Sequence, residues 1–319
     1  MGIPRGSARL LIEEAKQRPF SGTVLQLGRS SVYFGERQLR SWAAAQGLEL
    51  RGGVASRPSH DPRLAAQGCT SDETLFELLG FERVESGDIS EWEGADHIFD
   101  LNRPVPEALH GRFDAIFETG TIVQIFDLPR VLANLHAMLR VGGRVIHCAV
   151  PSNNHMDLGF YMLCPTFFAD FYAANGWRIE CHYLCEYYAY WQGARLHSDR
   201  WRIYDYTPGC LDALSYGRYG GAQAATFLVA TKLESSTGDV TPQLGQYRAA
   251  WQDYQDPGAS VESAGQQARS VRRDGARARL ERWLQRPGLA PVARPLKRIA
   301  EAVRRRILPR PMPPLRHRF

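Results

Sequence analysis

Residues 111–150 read GRFDAIFETGTIVQIFDLPRVLANLHAMLRVGGRVIHCAV. FDAIFE is a short apolar run that ends in a carboxylate. Pro129 to Leu139 is amphipathic at helical spacing. Gly142-Gly143 then turns the chain into a second apolar run, RVIHCAV. Strand, helix, glycine turn and strand predict a βαβ unit. With it comes a parallel sheet that binds ligands at the carboxyl ends of its strands. Those ends carry Glu118, Thr119 and Gly120 on one side and Pro151 to His155 on the other.

The same alternation continues on both sides. GTVLQLG (22–28) reads as a first buried strand, with a helix from about Gly35 to Gln46 after it. Residues 50–72 are polar and rich in Gly, Ser and Pro, and read as a loop. ETLFELLG (73–80) is a helix stopped by glycine, followed by strand candidates FERVESGD (81–88) and GADHIFDLN (94–102). Downstream, PTFFADFYAANGW (165–177) is helical, and WRIECHYLCEYY and AATFLVATKL (224–233) are late strands. Alternation of this kind predicts an α/β, Rossmann-like, doubly wound sheet of seven strands.

Of 319 residues, 44% are hydrophobic, enough for one sizeable core with an appendage. Apolar runs fall short of the roughly 20 residues of a membrane span, and the N-terminus lacks a signal-peptide core. Six scattered cysteines without a CxxC pair read as reduced thiols, with neither metal site nor disulfides. A cytoplasmic chain is expected. The net charge of +5 hides a split: residues 269–319 hold 16 Arg or Lys against 3 acidic residues. That tail is +13, which leaves the rest at −8. Leu296, Ile299, Ala300, Val303 and Ile307 form one stripe of it, flanked by Lys297, Arg298 and Arg304 to Arg306. A basic amphipathic helix of this kind suits an anionic membrane surface, with the protein peripheral at the inner face. Nucleic acid is the rival partner, disfavoured because an apolar stripe adds nothing to phosphate binding. The organisation expected is a domain over 1–234 with an insertion at 192–222, a linker over 235–268 and the basic tail over 269–319.

From about Glu73 to Trp177 the chain resembles class I S-adenosylmethionine-dependent methyltransferases, closest to a bacterial group associated with surface polysaccharides. The motifs that carry the likeness are Asp88, Glu93-Gly94-Ala95, Asp100-Leu101-Asn102, Pro151-Ser152-Asn153-Asn154, Gly159-Phe160-Tyr161 and Pro165-Thr166. The resemblance implies a mostly parallel sheet with its last strand antiparallel, S-adenosylmethionine as cofactor, and a small-molecule or glycan acceptor. The chain departs from the pattern after strand one, where Gly28-Arg29-Ser30-Ser31 has a single glycine, and Gln26 replaces a carboxylate. It departs again at Val123-Gln124, where Glu-His is common.

Methyl transfer asks more for alignment than for side-chain chemistry. Leu27 and Gly28 end strand one, beside the expected cofactor. Asp88, at the tip of strand two, can accept from a ribose diol. Glu49 competes for that role, 21 residues after Gly28. Asp100, Leu101 and Asn102 can serve adenine by hydrogen bond and packing, or form an ordinary Asx turn. Glu118, Thr119 and Gly120 can hold a methionine amino group, face the acceptor, or bond the following backbone. Asn153, Asn154 and Tyr161 can bind acceptor hydroxyls. His155 can act as base, with an unperturbed pKa of about 6.5. The aromatics from Tyr183 to Trp191 can stack on an acceptor or pack internally. The predicted activity is methyl transfer to an oxygen or nitrogen of a polar acceptor such as a saccharide. The alternative is a non-catalytic binding or scaffold protein whose cofactor loop has eroded. A nicotinamide-dependent enzyme is disfavoured by the missing fingerprint glycines.

Overall fold

A computed structural model describes residues 2–187, 201–215, 219–245 and 312–319. In chain order the elements are β1 (Gly2–Ile3), α1 (Arg5–Gln17), β2 (Thr23–Leu27), β3 (Ser31–Val32), α2 (Glu36–Gln46), α3 (Pro62–Ala66) and α4 (Asp72–Leu79). Then come β4 (Arg83–Asp88), β5 (His97–Ile98), β6 (Phe113–Glu118), α5 (Leu128–Met138), β7 (Leu139–Asn153) and α6 (Pro165–Ala174). The last are β8 (Arg178–Tyr187), β9 (Trp201–Asp205), β10 (Gln223–Thr231) and β11 (Leu315–Arg318).

The main sheet has the order β11-β9-β8-β10-β7-β6-β2-β4-β5. Strands β5, β4, β2, β6 and β7 are mutually parallel. Strand β10 is antiparallel to both β7 and β8, and the β8-β9-β11 edge is antiparallel throughout. Among the described residues the sheet therefore has nine strands where seven were expected. The extra two are β9, from within the expected insertion at 192–222, and β11, from the end of the chain. Their pairing is cemented at the edge: Arg316 donates to Glu13 of α1 at 2.9 Å and to Asp205 of β9 at 3.2 Å.

Side chains alternate across the sheet into two cores. Val24, Phe117, Ile146 and Phe227 pack with Leu11, Leu39 and Phe76 of α1, α2 and α4. Leu25, Ile116, Val145 and Leu228 pack with Leu132, Leu135 and Phe168 of α5 and α6. Burial on both faces explains why these strands read as continuous apolar runs. Truncating a fully buried aromatic such as Phe117 to alanine would cost about 3–5 kcal/mol. Helices α4 and α5 start on side-chain caps: Ser71 accepts from Thr74 N ahead of α4, and Asp127 from Arg130 N ahead of α5.

Three local expectations change. Gly142-Gly143 is not a turn between helix and strand, because β7 already begins at Leu139. Gly142 has φ +81°, and a Cβ on Gly143 would sit 3.0 Å from the Asp114 carbonyl, so the glycines form a bulge within the strand. The third strand shrinks to His97–Ile98, since Phe99 and Leu101 turn inward to the core. The polar stretch 50–72 contains the short helix α3, capped by Asp61.

The chain divides into two compact units, one of residues 1–207, 221–242 and 313–319, and one of 208–220 and 243–312. The start of the expected linker belongs to the first, where Asn175 of α6 accepts from Thr237 and Val240. Among the described residues of the second, a 3-10 turn at Asp212–Leu214 buries Leu214. The basic stripe over 269–307 and the segment 188–200 lie outside the described residues. Among the described residues no helix is long and apolar enough to cross a membrane.

Candidate functional site

The chain leaves β2 toward β4 on one side, and the later strands build outward from β6 on the other. The crevice between the carboxyl ends of β2 and β6 is thus the topological switch point, where open α/β sheets bind ligands. Leu27 ends β2, and its carbonyl accepts from the Thr121 hydroxyl at 2.7 Å, a bridge between the two loops. Gly28 follows at φ +74°, and a Cβ there would lie 3.5 Å from Asp88 Oδ2 and 3.8 Å from Thr121 Oγ1. The structure therefore brings Gly28, Asp88 and Thr121 into one small polar cradle. Asp88 Oδ1 accepts from Ser90 N at 3.2 Å, and the other oxygen faces Gly28. Glu49 is exposed after α2, next to the segment where Arg51 N bonds Leu78 O at the far end of α4. That is the amino edge of the sheet, away from the crevice.

Arg29 is engaged by α4. Its guanidinium reaches Asp72 at 2.9 Å and Glu73 at 3.0 Å on the first turn of α4. Gln26 donates to the same carboxylate at 2.9 Å. Burial pushes the Asp72 carboxyl up, but His60, Arg29 and Gln26 outweigh it and hold it well below the usual carboxylate range. Ser31 pairs in β3 with Gly2 of β1, and the Thr119 hydroxyl donates to the Gly2 carbonyl at 3.1 Å. The first residues of the chain thus lie across the switch point.

Asp100 forms an Asx turn. Its Oδ1 accepts from Asn102 N and Nδ2, both at 2.9 Å, and these bonds hold the carboxyl below its ordinary pKa. Leu101 is buried, and Asn102 Oδ1 accepts from Asp127 N ahead of α5 at 3.0 Å. A bond from Phe99 N to Asp88 O, 2.8 Å, keeps this segment beside the β4 tip.

Glu118 is fully buried, with both oxygens engaged. Oε2 accepts from Gly120 N at 2.7 Å, and Oε1 lies 2.6 Å from His147 Nδ1. His147 Nε2 is 2.5 Å from the Tyr172 hydroxyl of α6. This interior chain was not foreseen. Its only signal was a histidine inside the apolar run RVIHCAV. Leu228 of β10 is in register with both His147 and His182, so the row continues to His182. The Nε2 of His182 is buried without a hydrogen-bond partner.

In the loop after β7, Asn153 Oδ1 accepts from Asn154 N at 3.0 Å, and Asn154 Nδ2 donates to Ala222 O at 2.5 Å. His155 is half-buried between the Asn153 carbonyl at Nδ1, 2.7 Å, and the Tyr187 hydroxyl at Nε2, 2.8 Å. Burial lowers its pKa. Tyr161 turns elsewhere. It bonds Phe126 O at 2.7 Å and, with Phe167 and Phe171, lines a cavity of about 490 Å³ between α5 and α6.

No protein-family model and no curated protein sequence matches the chain. Solved structures give remote likenesses. The 1,6-didemethyltoxoflavin-N1-methyltransferase of Burkholderia thailandensis, solved with S-adenosylhomocysteine, is 14% identical over 72% of this chain and 78% of its own, at TM-score 0.33. TehB of Haemophilus influenzae is 13% identical over 70% and 61%, at 0.35. A geranyl diphosphate methyltransferase in complex with S-adenosylmethionine is 15% identical over 72% and 85%, at 0.35. Likenesses at this level carry no inference about the present chain, whose own strand order and crevice must do so.

Proposed function

We propose that this chain transfers a methyl group from S-adenosylmethionine to an oxygen or nitrogen of a polar acceptor, with a saccharide as one such acceptor. The observation that carries the reading is the inner strand order β5-β4-β2-β6-β7-β10-β8 with β10 alone reversed. It agrees with the layout that the class I methyltransferase resemblance implies. The polar cradle of Gly28, Asp88 and Thr121 lies at its switch point.

These residues fit the cofactor at its ribose end. Asp88 offers an outward oxygen to a diol, Gly28 lets a ligand approach the backbone, and the Asp100-Leu101 turn lies alongside for the base. Glu118 does not serve the amino group in this arrangement, because His147 and Gly120 already take both oxygens. When bound, the cofactor supplies an activated methyl on a sulfonium, so the protein's share is alignment and exclusion of water. The basic stripe of the tail supports docking to an anionic bilayer, which co-sedimentation of the full chain with phosphatidylserine vesicles tests.

One observation favours a scaffold instead: Gly2 spans the crevice between Ser31 and Thr119. Titration calorimetry with S-adenosylhomocysteine separates the two readings. Binding is expected, weakened about ten-fold or more in Asp88→Asn, the scale of one charge-assisted hydrogen bond. No heat at millimolar ligand with folded protein overturns methyl transfer in favour of the scaffold.

A further inference from the structure

Among the described residues, the three non-glycines at positive φ are Ala149 (58°), Asn154 (59°) and Asp157 (61°). All lie along one stretch, from late β7 into the loop that carries His155. Asn and Asp tolerate left-handed backbone, so the strain falls on Ala149, about 1–2 kcal/mol, and such strain concentrates at functional sites. Ala149 sits at a register shift between β7 and β10, a bulge that re-aims the strand beyond it.

That strain aims a wired pair. A carbonyl can only accept, so His155 Nδ1 carries the proton in the neutral ring and donates to Asn153 O. Nε2 is then bare and accepts the Tyr187 hydroxyl at 2.8 Å. The Tyr187 ring is itself stacked on Trp201, with centroids 4.7 Å apart and planes 10° apart. Both side chains are half-buried, at the carboxyl ends of β7 and β8. Burial keeps the imidazole neutral and the phenol protonated near pH 7. His155 cannot meet an acceptor through Nε2, because Tyr187 occupies it.

We propose that the Tyr187 hydroxyl, backed by His155, takes the proton of an acceptor hydroxyl during methyl transfer, an assignment that rests on the methyl-transfer reading above. The acceptor oxygen forms its bond to the methyl carbon as the carbon–sulfur bond of the sulfonium donor breaks. Its proton passes to the Tyr187 oxygen while the Tyr187 proton passes to His155 Nε2. The resulting imidazolium keeps both N–H groups bonded, to Asn153 O and to Tyr187, until it releases a proton to water. Beyond His155 the loop exposes Met156 and Phe160, and Phe160 meets Phe126 edge-on at 5.5 Å. These surfaces suit an acceptor whose hydroxyl is borne on a ring with an apolar face.

Two measurements test the pair. In ¹⁵N-histidine-labelled protein at neutral pH, His155 is expected as the Nδ1–H tautomer, with an Nε2 resonance that moves in Tyr187→Phe. With para-substituted phenols as probe acceptors and radiolabelled S-adenosylmethionine, the wild-type rate should depend weakly on phenol acidity. In Tyr187→Phe it should depend steeply, falling about 100-fold or more for the least acidic phenol, while S-adenosylhomocysteine affinity is unchanged. An Nε2–H tautomer, the same acidity dependence in both proteins, or no phenol methylated by protein that binds S-adenosylhomocysteine overturns the assignment. The tautomer is read without ligand, so its failure is distinct from failure of the methyl-transfer reading, which calorimetry reports.

Discussion

Replacing His182 with phenylalanine should remove much of the chain's sensitivity to mild acid. His182 lies on β8 under α6, 9% exposed, with its ring tilted against Tyr206 at 4.6 Å. Its Nε2 has no partner, and His147, beyond Leu228, is the charge that bears on it. Burial first, and that neighbour second, push its pKa from 6.5 down to about 3. The unfolded chain therefore binds more protons than the folded one between those values. Stability from the neutral ring is complete above the unfolded value and drains away as pH falls through it toward the folded value. Integrated from pH ~6 to pH ~4.5, one such histidine removes about 2 kcal/mol of folding free energy. Phenylalanine fills the same space and does not titrate. Urea unfolding followed by tryptophan fluorescence at the two pH values should show the wild type losing about 2 kcal/mol more than the variant. His136 and His155, whose pKa values are also lowered, contribute equally to both proteins and cancel. Equal losses in the two proteins would refute the argument that the ring is buried neutral.

Three further outcomes follow from named contacts. Gly28→Ala forces a left-handed alanine and sets a methyl beside Asp88, so it should cost about 1 kcal/mol in a thermal melt and weaken S-adenosylhomocysteine in calorimetry. Glu118→Ala leaves His147 Nδ1 and Gly120 N buried and unpaired, a loss of about 3–5 kcal/mol by urea unfolding. Ending the chain at Pro311 deletes β11 and both Arg316 contacts, bares the β9 edge, and should lower the melting temperature by several degrees and promote association seen by light scattering.

The parallel half of the sheet is legible because strands buried on both faces must be apolar throughout, as GTVLQLG and FDAIFE are. The antiparallel edge is not: LRHR in β11 is short and charged, and it pairs with β9 from more than a hundred residues away. Helix α1 carries its signal in Leu10, Leu11 and Ile12, yet lies before the alternating pattern begins and is missed. In the crevice, Gly28 and Asp88 are legible as strand tips. The inward turn of Glu118 is not, because its partner His147 arrives 29 residues later on another strand. The Tyr187–His155 contact likewise joins the last residue of β8 to the loop after β7, and their approach depends on β10 lying between the two strands.

The Arg29–Asp72 contact has a consequence for engineering. The turn after β2 is moored by a guanidinium to the start of α4, rather than shaped by glycines that fold back on themselves. Placing glycines at 29–31 would cut that mooring and leave the buried Asp72 carboxylate to Gln26 and His60, with no guanidinium to balance its charge. A change intended to make the turn more glycine-rich would instead unfasten it from the helix that holds it in place.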